Sequence, residues 1–308
     1  MFGRERAGVS PAEEALPPAG GEWGVAAAPF LLMALFALLL IMLRKPRFDL
    51  KGTHVVVTGG SSGIGKAVAH EALQRGAATV TLVARRAGAL NKAKVELETT
   101  AKEGQVVLVK SCDVGTGAEP VAKAFAEIAA SAGVPVDVLV NCAGTSQPGV
   151  FEELDPGTFE HMMRCNYFGS VYPTRAVVPS MKARSTGRII FVSSQAGQVG
   201  VFGFSAYSPS KFALVGLAQV LRMELQPYGI TVGVAYPPDT DTPGFAEENT
   251  HKPEETRLIS ETAGLFKPEE VAGHIVAGIQ AGTFAIYSGD APLFLGGKCQ
   301  LDLRCHGF

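Results

Sequence analysis

Residues 54–65 read His54-Val-Val-Val-Thr58-Gly-Gly-Ser-Ser-Gly-Ile-Gly65, and a helical pattern follows from Lys66 to about Arg75. The β-branched run has the length and composition of a buried strand. A strand, a glycine turn and a helix in this order can cradle phosphate, because glycines let the backbone approach a pyrophosphate and the helix start offers N–H groups. The glycines are spaced G-x-x-x-G-x-G, so an ordinary tight turn is the alternative interpretation.

Further strands follow at the intervals of an α/β protein. Besides 54–58, the predicted strands are 79–84, 106–109, 136–140, 188–192 and 230–235, and the predicted helices are about 88–103, 117–132, 156–182 and 207–226. This alternation predicts a Rossmann-type, doubly wound parallel sheet with helices on both faces. Ligands of such sheets bind beyond the carboxyl ends of the strands. The residues predicted at those ends are Thr58, Ala84, Asp113, Asn141, Ser193 and Pro237.

The run Tyr207-Ser-Pro-Ser-Lys211 carries a candidate acid–base pair, and Ser194 lies thirteen positions before the tyrosine. Side chains one helical turn apart share a helix face, and an ammonium there favours the phenolate and lowers the pKa of the phenol. An unperturbed tyrosine titrates near ~10, so this shift would make it useful at neutral pH. Pro209 falls in the predicted first helical turn, where proline is tolerated. A solvated surface pair is the alternative.

Several motifs in the same order resemble the short-chain dehydrogenase/reductase family over about residues 52–280. They are Thr58–Gly65, Asn141-Cys-Ala-Gly144, Asn166, Ser194 and Tyr207-x-x-x-Lys211. The resemblance implies that Tyr207 donates a proton to a carbonyl oxygen while Lys211 holds the cofactor ribose. It also implies that Ser194 binds the substrate oxygen and that Asn166 helps to hold a water linking the lysine to solvent. A serine bonded to its own turn and a tolerated helix asparagine are the alternatives.

The same resemblance implies a nicotinamide cofactor, with Asp113 at the adenine and Thr242 at the carboxamide. Strand two ends in Ala84-Arg85-Arg86 without a carboxylate. Because an arginine suits a ribose 2′-phosphate, we expect NADPH rather than NADH, although the arginines could belong to a solvated loop. The expected cofactor-binding residues are Gly59, Ser61, Ser62, Gly63, Ile64, Gly65, Arg85, Asp113, Val114, Asn141, Ala143, Gly144, Tyr207, Lys211, Pro237 and Thr242.

Three loop sequences point to a substrate class within the family. Residues 191–197, 235–249 and 255–262 resemble members that reduce a long-chain 3-keto sphingoid base at the endoplasmic reticulum membrane. The resemblance therefore implies NADPH-dependent reduction of 3-ketodihydrosphingosine to dihydrosphingosine in sphingolipid biosynthesis. Two alternatives stay open. One is a reductase of another lipid ketone, such as a sterol, retinoid or acyl ketone, and the other is a weakly catalytic NADPH-binding regulatory protein.

The amino-terminal region predicts a membrane anchor. Residues 1–24 lack periodicity and are predicted to be disordered, whereas 25–43 contain no charge and suit a spanning helix. Arg44, Lys45 and Arg47 follow, and positive charge tends to stay cytosolic. We therefore expect an endoplasmic reticulum membrane protein whose catalytic domain, residues 44–284, faces the cytosol. A cleaved signal peptide is the alternative.

Composition limits the remaining function classes. The chain has 308 residues, 47% of them hydrophobic, and a formal net charge of −2, which gives no overall attraction to nucleic acid. The five cysteines form no C-x-x-C pair and no metal-ligand cluster, which indicates reduced thiols and no metal. Residues 285–308 depart from the family, although 284–287 could form an edge strand. The resemblance also implies a homo-oligomer that pairs through helices 156–182 and 207–226.

Overall fold

A seven-stranded, all-parallel sheet forms the centre of the chain. A computed structural model describes residues 47–289, together with Met33 and Phe36. The strands are β1 (His54–Thr58), β2 (Thr79–Ala84), β3 (Val106–Ser111), β4 (Val138–Asn141), β5 (Gly187–Val192), β6 (Ile230–Tyr236) and β7 (Ala285–Tyr287). The helices are α1 (Gly63–Gln74), α2 (Ala87–Glu98), α3 (Ala118–Ala132), α4 (Pro156–Met162), α5 (Gly169–Arg184), α6 (Tyr207–Leu225), α7 (Pro243–Asn249), α8 (Glu254–Ala263) and α9 (Pro268–Ala281).

The strand order β3-β2-β1-β4-β5-β6-β7 confirms the predicted doubly wound sheet. From β1 the chain first builds outward to β2 and β3, and then returns to place β4 on the other side of β1. The order therefore reverses between β1 and β4, which is the position where sheets of this kind open a crevice for ligands. The predicted edge strand near 284–287 is also confirmed, since β7 pairs in parallel with β6.

Both faces of the sheet are covered by helices, so its strands are buried on two sides. In β1, Val55 and Val57 pack into the core under α1, α2 and α9, whereas Val56 packs into the core under α3, α5 and α6. All three valines are at most 1% exposed. This two-sided burial explains why the strand is a continuous β-branched run rather than an alternating one.

The helix predicted over 156–182 is interrupted, so that part of the prediction is wrong. α4 ends at Met162, a π turn spans Met163–Phe168, and α5 continues from Gly169. π turns occur mostly as single turns within α-helices and often at functional sites. Here the turn carries Asn166, a predicted site residue that is fully buried. The other boundaries differ less, and α1 begins at Gly63 rather than at Lys66.

The predicted anchor, residues 25–43, and the predicted disordered segment, residues 1–24, lie outside the described residues except for Met33 and Phe36. The tail beyond Gly289 lies outside them as well. Among the residues that the structure describes, none of the helices has both the length and the apolar character needed to cross a bilayer.

Candidate active site

The glycine turn between β1 and α1 has no room for a side chain at Gly59 or Gly65. A Cβ on Gly65 would lie 2.4 Å from the carbonyl oxygen of Gly59, and one on Gly59 would lie 2.9 Å from the backbone nitrogen of Ala143. In the described structure the N-cap Ser62 makes no side-chain capping hydrogen bond, and the first turn of α1 holds no acidic residue. The N–H groups at this helix start therefore remain available to an anion, and the turn fits a dinucleotide pyrophosphate.

The turn after β4 is fastened to β1. The Thr58 hydroxyl oxygen accepts hydrogen bonds from the backbone N–H groups of Cys142 and Ala143, at 3.0 and 3.1 Å. Asn141 is 1% exposed, and its Nδ2 donates to Thr174 Oγ1 at 3.0 Å. The predicted residue Asn141 therefore connects the end of the strand to α5, while the backbone that follows it faces the crevice.

Asn166 fixes the next part of this segment. Its Oδ1 accepts from the backbone N–H of Thr145 at 2.9 Å, and its Nδ2 donates to the Thr145 carbonyl oxygen at 3.0 Å and to Ser210 Oγ at 2.9 Å. The structure thus places Asn166 between the turn after β4 and the amino-terminal part of α6. The Asn166 amide holds these two segments together. Lys211 immediately follows Ser210, the serine that Asn166 contacts.

The predicted acid–base residues meet at the carboxyl end of β5. Tyr207 is the first residue of α6, and Ser194 caps a 3₁₀ turn, with its Oγ accepting from the Ala196 N–H at 3.1 Å. Lys211 Nζ donates to the Val192 carbonyl oxygen at 3.0 Å and lies 5.6 Å from the centroid of the Tyr207 ring. Pro209 is the third residue of α6, so the prediction that its first turn tolerates proline is confirmed.

A glycine allows the serine turn to pack this closely on α6. A Cβ on Gly197 would lie 2.3 Å from Ser193 Oγ and 3.1 Å from Lys211 Cβ. Ser193 Oγ in turn donates to the backbone carbonyl of Lys211 at 3.0 Å. The segment Ser193–Gly197 therefore sets the distance between Ser194 and α6, the helix that carries Tyr207 and Lys211.

The ionisation of Tyr207 differs from the sequence-based expectation. Burial raises the pKa of Tyr207 above its usual range, and the charge of Glu248 raises it further, whereas the Ser194 hydroxyl acts in the opposite direction. Burial also lowers the pKa of Lys211. The pKa of the phenol is therefore raised and not lowered as the sequence led us to expect, because desolvation is the largest influence on it. The phenol is protonated at neutral pH, as a proton donor must be.

A cavity of about 350 Å³ lies at the carboxyl edge of the sheet and brings most of the predicted site residues together. Asn141 and Asn166 are not part of its wall and support it from behind. The predicted site residues in the wall are Gly59, Ser61, Ser62, Gly63, Ile64, Gly65, Arg85, Asp113, Val114, Ala143, Gly144, Ser194, Tyr207, Lys211, Pro237 and Thr242.

The cavity is positively charged at the end of β2. Arg85 and Arg86 both line it and are exposed, so their guanidinium groups can reach a bound anion. Asp113 lies after β3 and holds its own turn, since its Oδ1 accepts from the Gly115 N–H at 3.0 Å. Thr242 caps α7 by accepting from the Phe245 N–H at 3.1 Å, and a Cβ on Gly63 would lie 2.9 Å from its methyl carbon. The loop after β6 therefore packs against the glycine turn.

The cysteines of the described segment are thiols. Cys112, Cys142 and Cys165 are free, and burial raises the pKa of Cys142 to about 11. Cys142 therefore stays protonated beside the cofactor crevice. Over residues 47–289, no cluster of three histidine, cysteine or acidic side chains is arranged to hold a metal ion.

Sequence reasoning missed three side chains of the cavity wall, two of them acidic. Asp239, Glu248 and Phe245 line the cavity, but they come from the loop and short helix after β6. Glu248 lies four positions before Lys252, a spacing that is common in solvated ion pairs, and Asp239 lies in a loop, so no local pattern marks these residues. Only the position of α7 against Tyr207 reveals them.

Comparison with known proteins agrees with this geometry. A sequence profile described as short chain dehydrogenase matches residues 53–253. The chain belongs to the short-chain dehydrogenase/reductase family. It is 56% identical over 255 residues to the 3-dehydrosphinganine reductase of Danio rerio, which covers 81% of this chain and 76% of that protein. It is 53% identical over 262 residues to the 3-ketodihydrosphingosine reductase of Mus musculus, covering 84% and 78%.

Solved structures of the family share the fold. A short-chain dehydrogenase from Streptomyces avermitilis superimposes with a TM-score of 0.68 at 32% identity, covering 80% of this chain and 91% of that chain. A short-chain dehydrogenase from Sphingobium yanoikuyae, in complex with NADPH, gives a TM-score of 0.66 at 25% identity, covering 76% and 87%. Membership of this family confirms the predictions that the protein is an oxidoreductase and that its fold binds a nicotinamide cofactor.

Proposed function

We propose that this protein uses NADPH to reduce 3-ketodihydrosphingosine to dihydrosphingosine in sphingolipid biosynthesis. The observation that carries the proposal is that Ser194, Tyr207 and Lys211 line the same cavity as the glycine turn at the start of α1. The relatives from zebrafish and mouse, which are named for this substrate, are similar along more than three quarters of this chain.

The side chains divide the work of reduction between them. The glycine turn and Lys211 would hold NADPH, which would supply a hydride to the carbonyl carbon of the ketone. The Tyr207 hydroxyl, protonated because of burial, donates its proton to the carbonyl oxygen, so that the ketone becomes a secondary alcohol. Ser194 Oγ accepts from a backbone N–H, which leaves its own proton to donate to the same oxygen as negative charge develops there.

Lys211 and Asn166 support this chemistry from within the fold. The Lys211 side chain is buried, and its amine is held at the end of β5 by the Val192 carbonyl, beneath the cavity wall that Gly144 forms. Asn166 fixes that wall through the backbone of Thr145. We infer that Lys211 holds the nicotinamide ribose and that Asn166, from behind the wall, keeps α6 in place so that Tyr207 stays aligned with the substrate oxygen.

The choice of NADPH rests on the end of β2. Two exposed arginines line the cavity there, and the strand ends without the carboxylate that binds an unmodified ribose. A guanidinium forms bidentate hydrogen bonds with phosphate oxygens. The structure of the Sphingobium protein is a complex with NADPH, which supports this choice.

We further propose that residues 25–43 anchor the protein in the endoplasmic reticulum membrane, with the catalytic domain in the cytosol. The support is the uncharged run followed by Arg44, Lys45 and Arg47. An anchor suits a substrate whose long alkyl chain partitions into a bilayer. Fractionation checks this, because the full chain is expected in membranes and to be released by detergent but not by high salt.

Purified, detergent-solubilised protein tests the activity directly. We expect NADPH oxidation that depends on 3-ketodihydrosphingosine and yields dihydrosphingosine in equal amount. A matched panel of sterol, retinoid and acyl ketones separates the alternative substrates, since faster turnover of one of these would reassign the substrate. Tight NADPH binding without turnover of any lipid ketone would instead indicate a regulatory protein.

A further inference from the structure

A buried ionic cluster lies beside Tyr207. The Lys252 side chain is 1% exposed, and its Nζ lies 2.8 Å from Glu248 Oε1 and 3.8 Å from Asp239 Oδ2. It also donates to Ser260 Oγ at 2.9 Å, while the Ser260 hydroxyl donates to Asp239 Oδ2. The lysine ammonium lies 4.3 Å from the centroid of the Phe245 ring. Four residues from the segment after β6 thus fix the position of one ammonium.

The cluster has more negative than positive charge, and the surplus faces the substrate. Asp239 and Glu248 both line the cavity that contains Tyr207, whereas Lys252 lies behind them. Two carboxylates share one ammonium, so the cluster carries a net charge of −1. A carboxylate that is only 12% exposed, as Glu248 is, favours binding of a cation beside it in the cavity.

We propose that Glu248 is the counter-ion for the protonated amine of the substrate. The inference rests on the proposed function, in which the ketone carries an amine on the adjacent carbon. A carbonyl placed at Tyr207 therefore has its ammonium one carbon away, in the part of the cavity that Glu248 lines. Lys252 engages Oε1 of Glu248, which leaves Oε2 to accept a hydrogen bond from the substrate.

Glu248 is a better candidate than Asp239. Its side chain is 12% exposed, against 27% for Asp239, so a cation beside it is better shielded from water. Asp239 already accepts from the Ser260 hydroxyl, which ties it to α8. Of the two carboxylates, Glu248 also has the stronger effect on the phenol, since its charge contributes more to the raised pKa of Tyr207.

An independent feature of the same wall also indicates a polar substrate head. The Oγ of Ser146 is buried and has no hydrogen-bond partner among the described residues, and Ser146 lines the cavity. A buried polar atom without a partner is destabilising. A sphingoid base carries a hydroxyl on the carbon next to the amine, and this group would supply the missing partner.

Recognition of the ammonium also affects catalysis. Because the Glu248 charge raises the pKa of Tyr207, an ammonium bound to Glu248 offsets that charge and makes the phenol a stronger acid. A substrate that carries the amine thus lowers the pKa of Tyr207 when it binds, whereas an uncharged ketone does not. This effect distinguishes amino ketones from other lipid ketones of equal length.

The test compares Glu248→Gln with wild type on two substrates of equal chain length. One is 3-ketodihydrosphingosine, and the other is the same 1-hydroxy-3-ketone without the amine. We expect the substitution to raise KM for the amino ketone about tenfold or more, since a charge-assisted hydrogen bond is lost. KM for the ketone without the amine should stay unchanged.

Glu247→Gln is the matched control, because Glu247 lies on the same helix with a side chain that is 79% exposed. It should leave both KM values at the wild-type level. Unchanged NADPH binding by Glu248→Gln shows that the fold is intact. An equal loss for both substrates would indicate a structural role and overturn the assignment, as would no loss for either.

Wild-type protein keeps the assignment testable even if the variant does not fold. KM for the amino ketone should be about tenfold lower than for the ketone without the amine, and N-acetylation of the amine should remove the difference. Equal values for the three ketones would overturn the ammonium site while leaving the reductase function standing. No turnover of 3-ketodihydrosphingosine by wild type would overturn the proposed function itself.

Discussion

The residues proposed to carry out catalysis owe their ionisation to burial as much as to their neighbours. Tyr207 and Lys211 lie in the same wall, and burial shifts each pKa toward the uncharged form of that side chain. A neutral phenol is the form that donates a proton to a ketone. The site is therefore arranged for reduction, with the acid already protonated when the substrate arrives.

Replacement of Tyr207 by phenylalanine keeps the ring, which packs edge-on at 5.2 Å from Phe204, and removes only the hydroxyl. We expect kcat to fall by about 10²–10⁴-fold, the usual contribution of a positioned acid, while NADPH affinity stays unchanged. Tyr228→Phe is the control, since that tyrosine is 41% exposed and outside the cavity. Full activity in Tyr207→Phe would remove the proton-donor assignment.

The pH dependence follows from the direction of the Tyr207 shift. Deprotonation removes the proton donor, and burial raises the pKa of this group above its ordinary value of 10.0. We therefore expect kcat for reduction to stay level from neutral pH to about pH 9 and to fall only as pH rises through the raised pKa. A decline centred near neutral pH would show that bound cofactor reverses the effect of burial.

The proposed preference for NADPH can be tested at Arg85, an exposed side chain of the cavity wall at the end of β2. Arg85→Asp puts a carboxylate at the end of β2, where it repels a 2′-phosphate and suits a free ribose hydroxyl. We expect KM for NADPH to rise about tenfold or more and KM for NADH to fall. Lys92→Asp, an exposed charge reversal on α2, should change neither. If Arg85→Asp keeps the wild-type selectivity for NADPH over NADH, Arg86 and not Arg85 binds the 2′-phosphate.

At the scale of elements, the glycine turn joins β1 and α1 with no room for a side chain. Gly65→Ala places a methyl group 2.4 Å from the Gly59 carbonyl oxygen, so the backbone must shift. We expect a loss of about 1–3 kcal/mol of stability, typical of overpacking, and a clear loss of NADPH binding by fluorescence titration. In Gly88→Ala, on α2, the added Cβ has no neighbouring atom within 4 Å, so binding should be retained.

The sequence predicted the central strands β1, β2, β4, β5 and β6 well because they are buried on both faces. In His54–Thr58 and Thr79–Ala84, buried and exposed positions do not alternate, and turn residues mark where these strands end. The glycine turn was equally clear, since close backbone approach restricts the residue type. Strand burial and close backbone approach each restrict the residue types at neighbouring positions, so both can be predicted from the local sequence.

What the sequence did not predict depends on contacts between distant segments. The break in the helix over 156–182 accompanies the hydrogen bonds of Asn166 to Thr145 and Ser210, which no local pattern contains. The raised pKa of Tyr207 depends on desolvation by the folded cavity and on Glu248, forty-one positions later. Local spacing placed the lysine near the phenol but gave no measure of burial.

At the scale of the whole molecule, the first and last long helices support each other. Arg75 ends α1 and binds Glu71 at 2.7 Å through Nε, while its other nitrogens donate to the Gln280 side chain at 2.7 Å and to the Gly273 carbonyl at 3.3 Å. The last two partners lie on α9. One arginine thus joins the helix of the cofactor turn to the helix that precedes β7.

Arg75→Ala removes this link without altering the cavity. We expect a loss of about 1–2 kcal/mol in free energy of unfolding by chemical denaturation, because the guanidinium is partly buried and hydrogen-bonded to two helices. Lys94→Ala, which breaks an exposed pair with Glu98 within α2, should cost no more than about 0.5 kcal/mol. Equal losses in the two variants would contradict a linking role for Arg75.

The π turn at Met163–Phe168 makes this part of the chain sensitive to changes in length. Each residue of an α-helix advances by about 100°, so the turn offsets the direction in which α5 presents its side chains relative to α4. Removal of a single residue between Met163 and Phe168 would turn the π turn into regular α-helix, which keeps Val177 and Met181 in the core but displaces Asn166 from Thr145. Relatives that keep the chemistry should therefore vary here by substitution and not by insertion or deletion.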